Sequence, residues 1–182
     1  EKLKKAPNAE KSEFFFEVKP DPSVELSAKG TAEVSILTGS PDRWNKEINV
    51  FLPESEVLTG RLTSVSGNPE EVISDADVVL FCYPGFMIAS ELERIKPYLK
   101  QDAYVGSVFS STGFFFEALR ILSPSQPLWG FQRVPFICRV QEYGSSARLL
   151  GYKPCYHIAV ENVTDEQKRK FADMISEWFE RP

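Results

Sequence analysis

The 182 residues are enough for one domain with its own core and too few for two of ordinary size. Hydrophobic residues make up 42% and charged residues 26%; with 21 Lys and Arg against 26 Asp and Glu the formal net charge is -5, a field that opposes nonspecific binding to nucleic acid or an anionic membrane. No apolar run approaches the roughly 20 residues of a membrane span, and the charged start (Glu1, Lys2, Lys4, Lys5) lacks the apolar core of an export signal, so a cytoplasmic protein is expected. Cys82, Cys138 and Cys155 stand too far apart for a zinc ribbon or a dithiol motif, and their odd number closes no disulfide framework.

In chain order, residues 1–27 read as an atypical extension, Lys- and Glu-rich at first, with an aromatic strand over 13–18 (EFFFEV) and a break at Lys19-Pro20-Asp21-Pro22. Residues 28–182 read as the folded domain. The alternating, β-branched stretch 32–37 (AEVSIL) predicts a strand, after which Ser40 and Pro41 supply a cap and a first-turn proline for a short helix. Residues 48–63 suggest a hairpin around a Pro-Glu-Ser turn, and Asn68-Pro69-Glu70-Glu71 repeats the cap-then-proline signature with acids in the first turn. The nearly continuous apolar run 76–84 (ADVVLFCYP) predicts a central buried strand. It leads through Gly85 to a helix with Ile88, Leu92, Ile95 and Leu99 on one side.

Residues 104–109 (YVGSVF) predict a second buried strand, followed by the turn Ser110-Ser111-Thr112-Gly113 and a helix whose apolar face is Phe115, Ala118, Leu119 and Leu122. Beyond it, Pro135 interrupts a β-rich stretch over 127–140, the strands expected at 148–151 and 156–160 suggest a closing hairpin or meander, and Thr164-Asp165-Glu166-Gln167 matches a capping box at the head of a final helix. Two strand-then-helix units with buried strands predict an α/β, three-layer domain with a mostly parallel sheet, atypical at its N-terminus. Ligands of such sheets bind at the carboxyl ends of the strands, which directs attention to three turns.

The turn at Thr38-Gly39-Ser40 carries no acid where a dinucleotide domain often holds the ribose hydroxyls with one. Thr38, Ser40 and Arg43 suit a ribose phosphate instead, so NADP is favoured over NAD; the plain alternative is that Ser40 caps a helix and Arg43 is a solvated charge. Cys82, Tyr83 and Pro84, followed by Gly85, form a lip against which a flat ring such as nicotinamide can lie, unless Pro and Gly serve turn geometry alone. Ser110, Ser111, Thr112 and Gly113 offer hydroxyls and backbone N–H groups to an anion or a carboxamide, and capping accounts for one serine only. Nucleophilic chemistry at Cys82 has no base near it in sequence, since the single histidine, His157, sits in a distant alternating strand and reads as structural. No metal motif appears, and neither Gly-x-Gly-x-x-Gly nor a Walker loop occurs in the chain.

Four blocks carry a resemblance: Glu33-Val34-Ser35-Ile36-Leu37-Thr38 with Pro41-Asp42-Arg43-Trp44; Ala76-Asp77-Val78-Val79-Leu80 with Pro84; Ser110-Ser111-Thr112-Gly113-Phe114; and Val134-Pro135-Phe136-Ile137-Cys138-Arg139. In this order, from about Ala28 to Asn162, they resemble the N-terminal, Rossmann-like NAD(P)-binding domain of the octopine and nopaline (opine) dehydrogenase family. The resemblance implies an oxidoreductase that reductively condenses an amino acid with a 2-oxo acid using NAD(P)H. It implies that the turn from Thr38 to Arg43 faces the adenosine ribose and that the turns at Cys82–Gly85 and Ser110–Gly113 approach the nicotinamide. Two departures matter: the family's glycine-rich loop has no counterpart here, and the family's helical catalytic domain has none within the 182 residues. The chain alone is therefore expected to be inactive, with the nicotinamide dinucleotide, a separate catalytic domain or a second copy as partners. The alternative is a degenerate interaction or oligomerisation module that binds no cofactor.

Overall fold

The computed structural model describes residues 32–53 and 56–179. The aromatic strand expected over residues 13–18, and the whole 1–27 extension, lie outside the described residues. In chain order the elements are β1 (Ser35–Leu37), a 3₁₀ turn (Pro41–Arg43), β2 (Glu47–Phe51), β3 (Val57–Arg61), β4 (Ser64–Ser66), α1 (Pro69–Ile73), β5 (Val78–Phe81), α2 (Gly85–Ile95), a 3₁₀ turn (Lys96–Tyr98), β6 (Tyr104–Ser107), a 3₁₀ turn (Ser110–Thr112), α3 (Phe114–Ile121), β7 (Leu128–Phe131), β8 (Phe136–Glu142), β9 (Ser146–Tyr152), β10 (Ile158–Glu161) and α4 (Asp165–Phe179).

Parallel strands β5, β6 and β7 lie side by side, with β10 antiparallel on the far edge of β7. β1 and β4 form a separate parallel pair. β1 nevertheless belongs to the same layer as β5, because the two strands alternate onto the same two cores. Leu37, Val79 and Phe81 enter one core with Val72 and Ile73 of α1, Ile88, Leu92 and Ile95 of α2, and Phe114, Ala118 and Ile121 of α3. Ile36, with Val78 and Leu80 against it, enters the other. That second core is closed by Phe171 and Ile175 of α4 and by the inner face of a second four-stranded sheet, ordered β3-β2-β9-β8, through Ile48, Val50, Cys138, Ala147 and Leu149. The result is a three-layer α/β, Rossmann-like fold, as expected.

Local chemistry explains several boundaries. The Asn68 side chain accepts a hydrogen bond from the Glu70 amide (3.1 Å) and starts α1, while Ser66 and Asn68 donate to Glu71 and hold its carboxyl below the usual carboxylate range. At α4 the capping box closes as expected, the Thr164 amide donating to Gln167 Oε1 (2.9 Å) and the Gln167 amide to Thr164 Oγ1 (3.3 Å).

Other expectations are corrected. The helix expected after Ser40 is a single 3₁₀ turn, and the Ser40 side chain makes no cap. β5, expected to be central, ends its hydrogen-bonded sheet, and β6 and β7 are the interior strands. α3 is rotated from its expected face: it buries Phe114, Ala118 and Ile121, leaving Leu119 52% exposed, because the helix begins directly at Phe114. The last two strands make no hairpin, since β9 pairs with β8 and β2 while β10 crosses to β7. The hairpin over 48–63 is present as β2–β3, but in the second sheet.

Candidate functional site

Parallel pairing fixes where the turns lie. The Val108 amide donates to the Phe81 carbonyl (3.0 Å), so the ends of β5 and β6 stay adjacent as they leave the sheet. β7 ends beside them in the same direction, and the loop after β6 is tied to it: Ser110 Oγ donates to the Phe131 carbonyl (2.6 Å) and Ser111 Oγ to the Gln132 carbonyl (3.1 Å). Gly113, in the left-handed region at φ 93°, then turns the chain into α3. Neither serine caps that helix.

These bonds decide what the two hydroxyls can offer. Each has its proton committed to a backbone carbonyl, so what remains toward a ligand is acceptor capacity. That arrangement suits the N–H groups of a carboxamide and not the oxygens of an anion. Ser107, buried at the end of β6, accepts from the Phe109 amide (3.3 Å) and shapes the same loop.

At the end of β5, Cys82 is buried and Tyr83 and Pro84 are half-buried. The Tyr83 ring meets Phe81 edge-on at 6.0 Å, and its phenol is pushed up to about 12, chiefly by burial and also by the Glu91 carboxylate, with the Arg94 guanidinium opposing. Arg94 is itself held by Glu91 (2.9 Å) and reaches the Gly67 carbonyl (3.4 Å) at the end of β4. Tyr83 and Arg94 thus link the β5 and β4 ends across α2.

The β1 end closes on itself. The Thr38 amide donates to the Ser66 carbonyl (3.0 Å), Thr38 Oγ1 accepts from the Ser40 amide (3.3 Å), and the Arg43 amide donates to the Ser40 carbonyl (3.1 Å). Thr38 is buried, Ser40 half-buried and Arg43 exposed. The Thr38 hydroxyl oxygen is therefore engaged within its own turn.

A residue that the sequence reading passed over joins this end of the site. The Arg43 guanidinium lies over the ring of Tyr143, 4.1 Å from its centroid, and Tyr143 meets Trp44 edge-on at 5.7 Å. Tyr143 comes from the β8–β9 turn, and its only local signal was the Tyr-Gly pair. His157 is exposed, and its carbonyl accepts from the Gln132 amide (2.8 Å). Among the described residues no group of three His, Cys, Asp or Glu is placed to hold a metal ion, and no helix is long and apolar enough to cross a membrane.

No family model matches the chain. It is 28% identical to octopine dehydrogenase of Pecten maximus over 142 residues, 70% of this chain and 36% of that protein. It is 31% identical to tauropine dehydrogenase of Arabella iricolor over 114 residues, 61% of this chain and 29% of that protein. A solved octopine dehydrogenase complex with NADH and pyruvate superposes with a TM-score of 0.72 at 25% identity, over 79% of this chain and 40% of that one. The resemblance to the opine dehydrogenases is thus borne out over about 70% of the chain, together with the Rossmann-like fold. The chain spans about 36% of the length of the Pecten enzyme.

Proposed function

We propose that residues 28–182 are the nicotinamide-dinucleotide-binding domain of an opine-dehydrogenase-like oxidoreductase, a cytoplasmic enzyme that reductively condenses an amino acid with a 2-oxo acid. The observation that carries the reading is the juxtaposition of the β5, β6 and β7 ends, with the β4 end tied to them through Arg94 and to the β1 turn through the bond from the Thr38 amide to the Ser66 carbonyl, in a chain whose relatives are dehydrogenases. The residues fit such a cofactor at both ends. Ser110 and Ser111 present acceptors for the carboxamide, Gly113 lets the backbone turn away beside them, and the lip of Cys82, Tyr83 and Pro84 gives a ring an apolar wall. Thr112 is assigned to the same turn. Thr38, Ser40 and Arg43 hold the ribose end, where the guanidinium and the absence of a strand-end acid favour NADP over NAD. When bound, the dihydronicotinamide supplies a hydride. The chain's own residues orient the ring, and proton transfer belongs to a catalytic domain outside these 182 residues.

The test is a titration of the 182-residue chain with NADPH and with NADH, followed by fluorescence, alongside thermal melting. Saturable binding is expected, and at a hundredfold excess over Kd a stabilisation of about 2.7 kcal/mol, which is a rise of roughly 5 to 10 °C. No saturation up to millimolar coenzyme, with an unmoved melting temperature, would remove the reading. The missing Gly-x-Gly-x-x-Gly favours a second one, an interaction or oligomerisation module without cofactor. Concentration-dependent self-association that ignores both coenzymes would support it.

A further inference from the structure

We propose that Gly130, within β7, is a positioning residue for the nicotinamide end of the site: by leaving room for Ser110 it fixes that hydroxyl as an acceptor for the carboxamide. The proposal deepens the nucleotide-binding reading and rests on it. Along β7, Leu128 enters the core beneath α2 and α3, whereas Trp129 and Phe131 enter the other. Strand alternation therefore turns the side-chain position of Gly130 toward the side of the sheet on which α3 lies. The loop after β6 folds onto that spot. A Cβ on Gly130 would lie 2.8 Å from Ser110 Cβ, 2.9 Å from Ser110 Oγ and 3.3 Å from the Ser107 carbonyl oxygen. Only glycine lets the serine come this close to the strand.

The strand is held from both sides and the loop is not. Gly130 pairs with Ser107 of β6 on one edge and with Ala159 of β10 on the other. Just beyond the strand, the Gln132 amide donates to the His157 carbonyl (2.8 Å). A methyl group added at Gly130 is therefore accommodated by displacing the loop, beginning with Ser110. The bond from Ser110 Oγ to the Phe131 carbonyl (2.6 Å) is then strained or lost, and a hydroxyl released from that carbonyl can turn its proton toward the ligand. A carboxamide N–H that met a lone pair in the wild type no longer has an assured acceptor. Ser111, bonded to the Gln132 carbonyl (3.1 Å), rides on the same loop and shifts with it.

Binding of NADH, NADPH and ADP-ribose, the portion of NADH that remains without its nicotinamide ring, to the wild-type chain, Gly130→Ala, Ser110→Gly and the double variant tests the assignment. Gly130→Ala is expected to weaken both coenzymes about threefold to tenfold, as the loss of a hydrogen bond to the carboxamide implies, and to leave ADP-ribose binding unchanged. Ser110→Gly removes the atoms that the new methyl group would strike, so adding Gly130→Ala to it should cost little more. Equal weakening of coenzyme and ADP-ribose in Gly130→Ala would show a merely structural role and overturn the proposal, leaving the domain reading standing. Unchanged coenzyme binding in Gly130→Ala, or additive effects in the double variant, would overturn it as well. Should Gly130→Ala fail to fold, a double variant that folds and binds as Ser110→Gly does supports the assignment, and a double variant that also fails to fold overturns it. Failure of the wild type to bind any of the three ligands would sink the domain reading itself.

Discussion

Tyr83 is where a single side chain can be read out in solution. Its phenol, pushed from 10.0 to about 12 in the fold mainly by burial, keeps its proton after the same group in the unfolded chain has lost it. The associated stability is therefore complete below pH 10 and disappears as pH rises from 10 toward 12. At about 1.4 kcal/mol per unit, wild-type protein should lose about 1.4 kcal/mol more than Tyr83→Phe between pH 9 and pH 11. Urea unfolding at the two pH values measures the difference, and parallel losses in the two proteins would show that the phenol is not buried as described. Sequence reading found Tyr83 because it follows a buried strand. It did not find the hydroxyl's surroundings, since Glu91 and Arg94 lie on the next helix, beyond the reach of any local pattern around Tyr83. The same limit hid Tyr143: its contact with Arg43 joins residues a hundred positions apart, and no local period reports it.

Where elements meet, the hydrogen-bonding signals of capping were legible and the rotation of a helix was not. Asn68 and the Thr164–Gln167 box act where the sequence places them, because a cap needs only neighbours within one turn. For α3 the consecutive Phe114, Phe115 and Phe116 fit several apolar faces, and the structure resolves the choice by starting the helix immediately after Gly113, which leaves Phe116 83% exposed. Gly113 is thus the junction between the site loop and α3. A Cβ there meets nothing within 4 Å, so substitution costs only the left-handed backbone. Gly113→Ala should destabilise the domain by about 1 to 2 kcal/mol and Gly113→Asn by less, since Asn tolerates that region. Denaturant midpoints compare them; equal effects would point to a side-chain clash and not to backbone conformation.

For the molecule as a whole, the strand-turn-helix rhythm was visible in the sequence, because buried parallel strands and amphipathic helices each leave a pattern. The partition of the ten strands among the described residues into three sheets was not, because pairing depends on contacts far apart in the chain. That partition has a measurable sign. β6 is bonded on both sides, whereas the bonds from Tyr104 to Asp77 and from Val108 to Phe81 turn the Val78 and Leu80 amides away from β6. Hydrogen exchange should therefore be slower for Val105 and Gly106 than for Val78 and Leu80. Equal protection would mean that β5 has a partner on its other edge.

The second sheet joins an early hairpin to a late one through a single parallel seam, Asn49 to Phe51 against Ser146 to Arg148. A polypeptide leaving the ribosome completes β2 and β3 long before β9 exists to cover their shared flank. Until Arg148 has left the ribosome, Ile48 and Val50 lack the neighbours that β9 supplies in the finished fold. This early hairpin is the stretch on which a nascent chain of this protein most depends for protection against sticking to its neighbours.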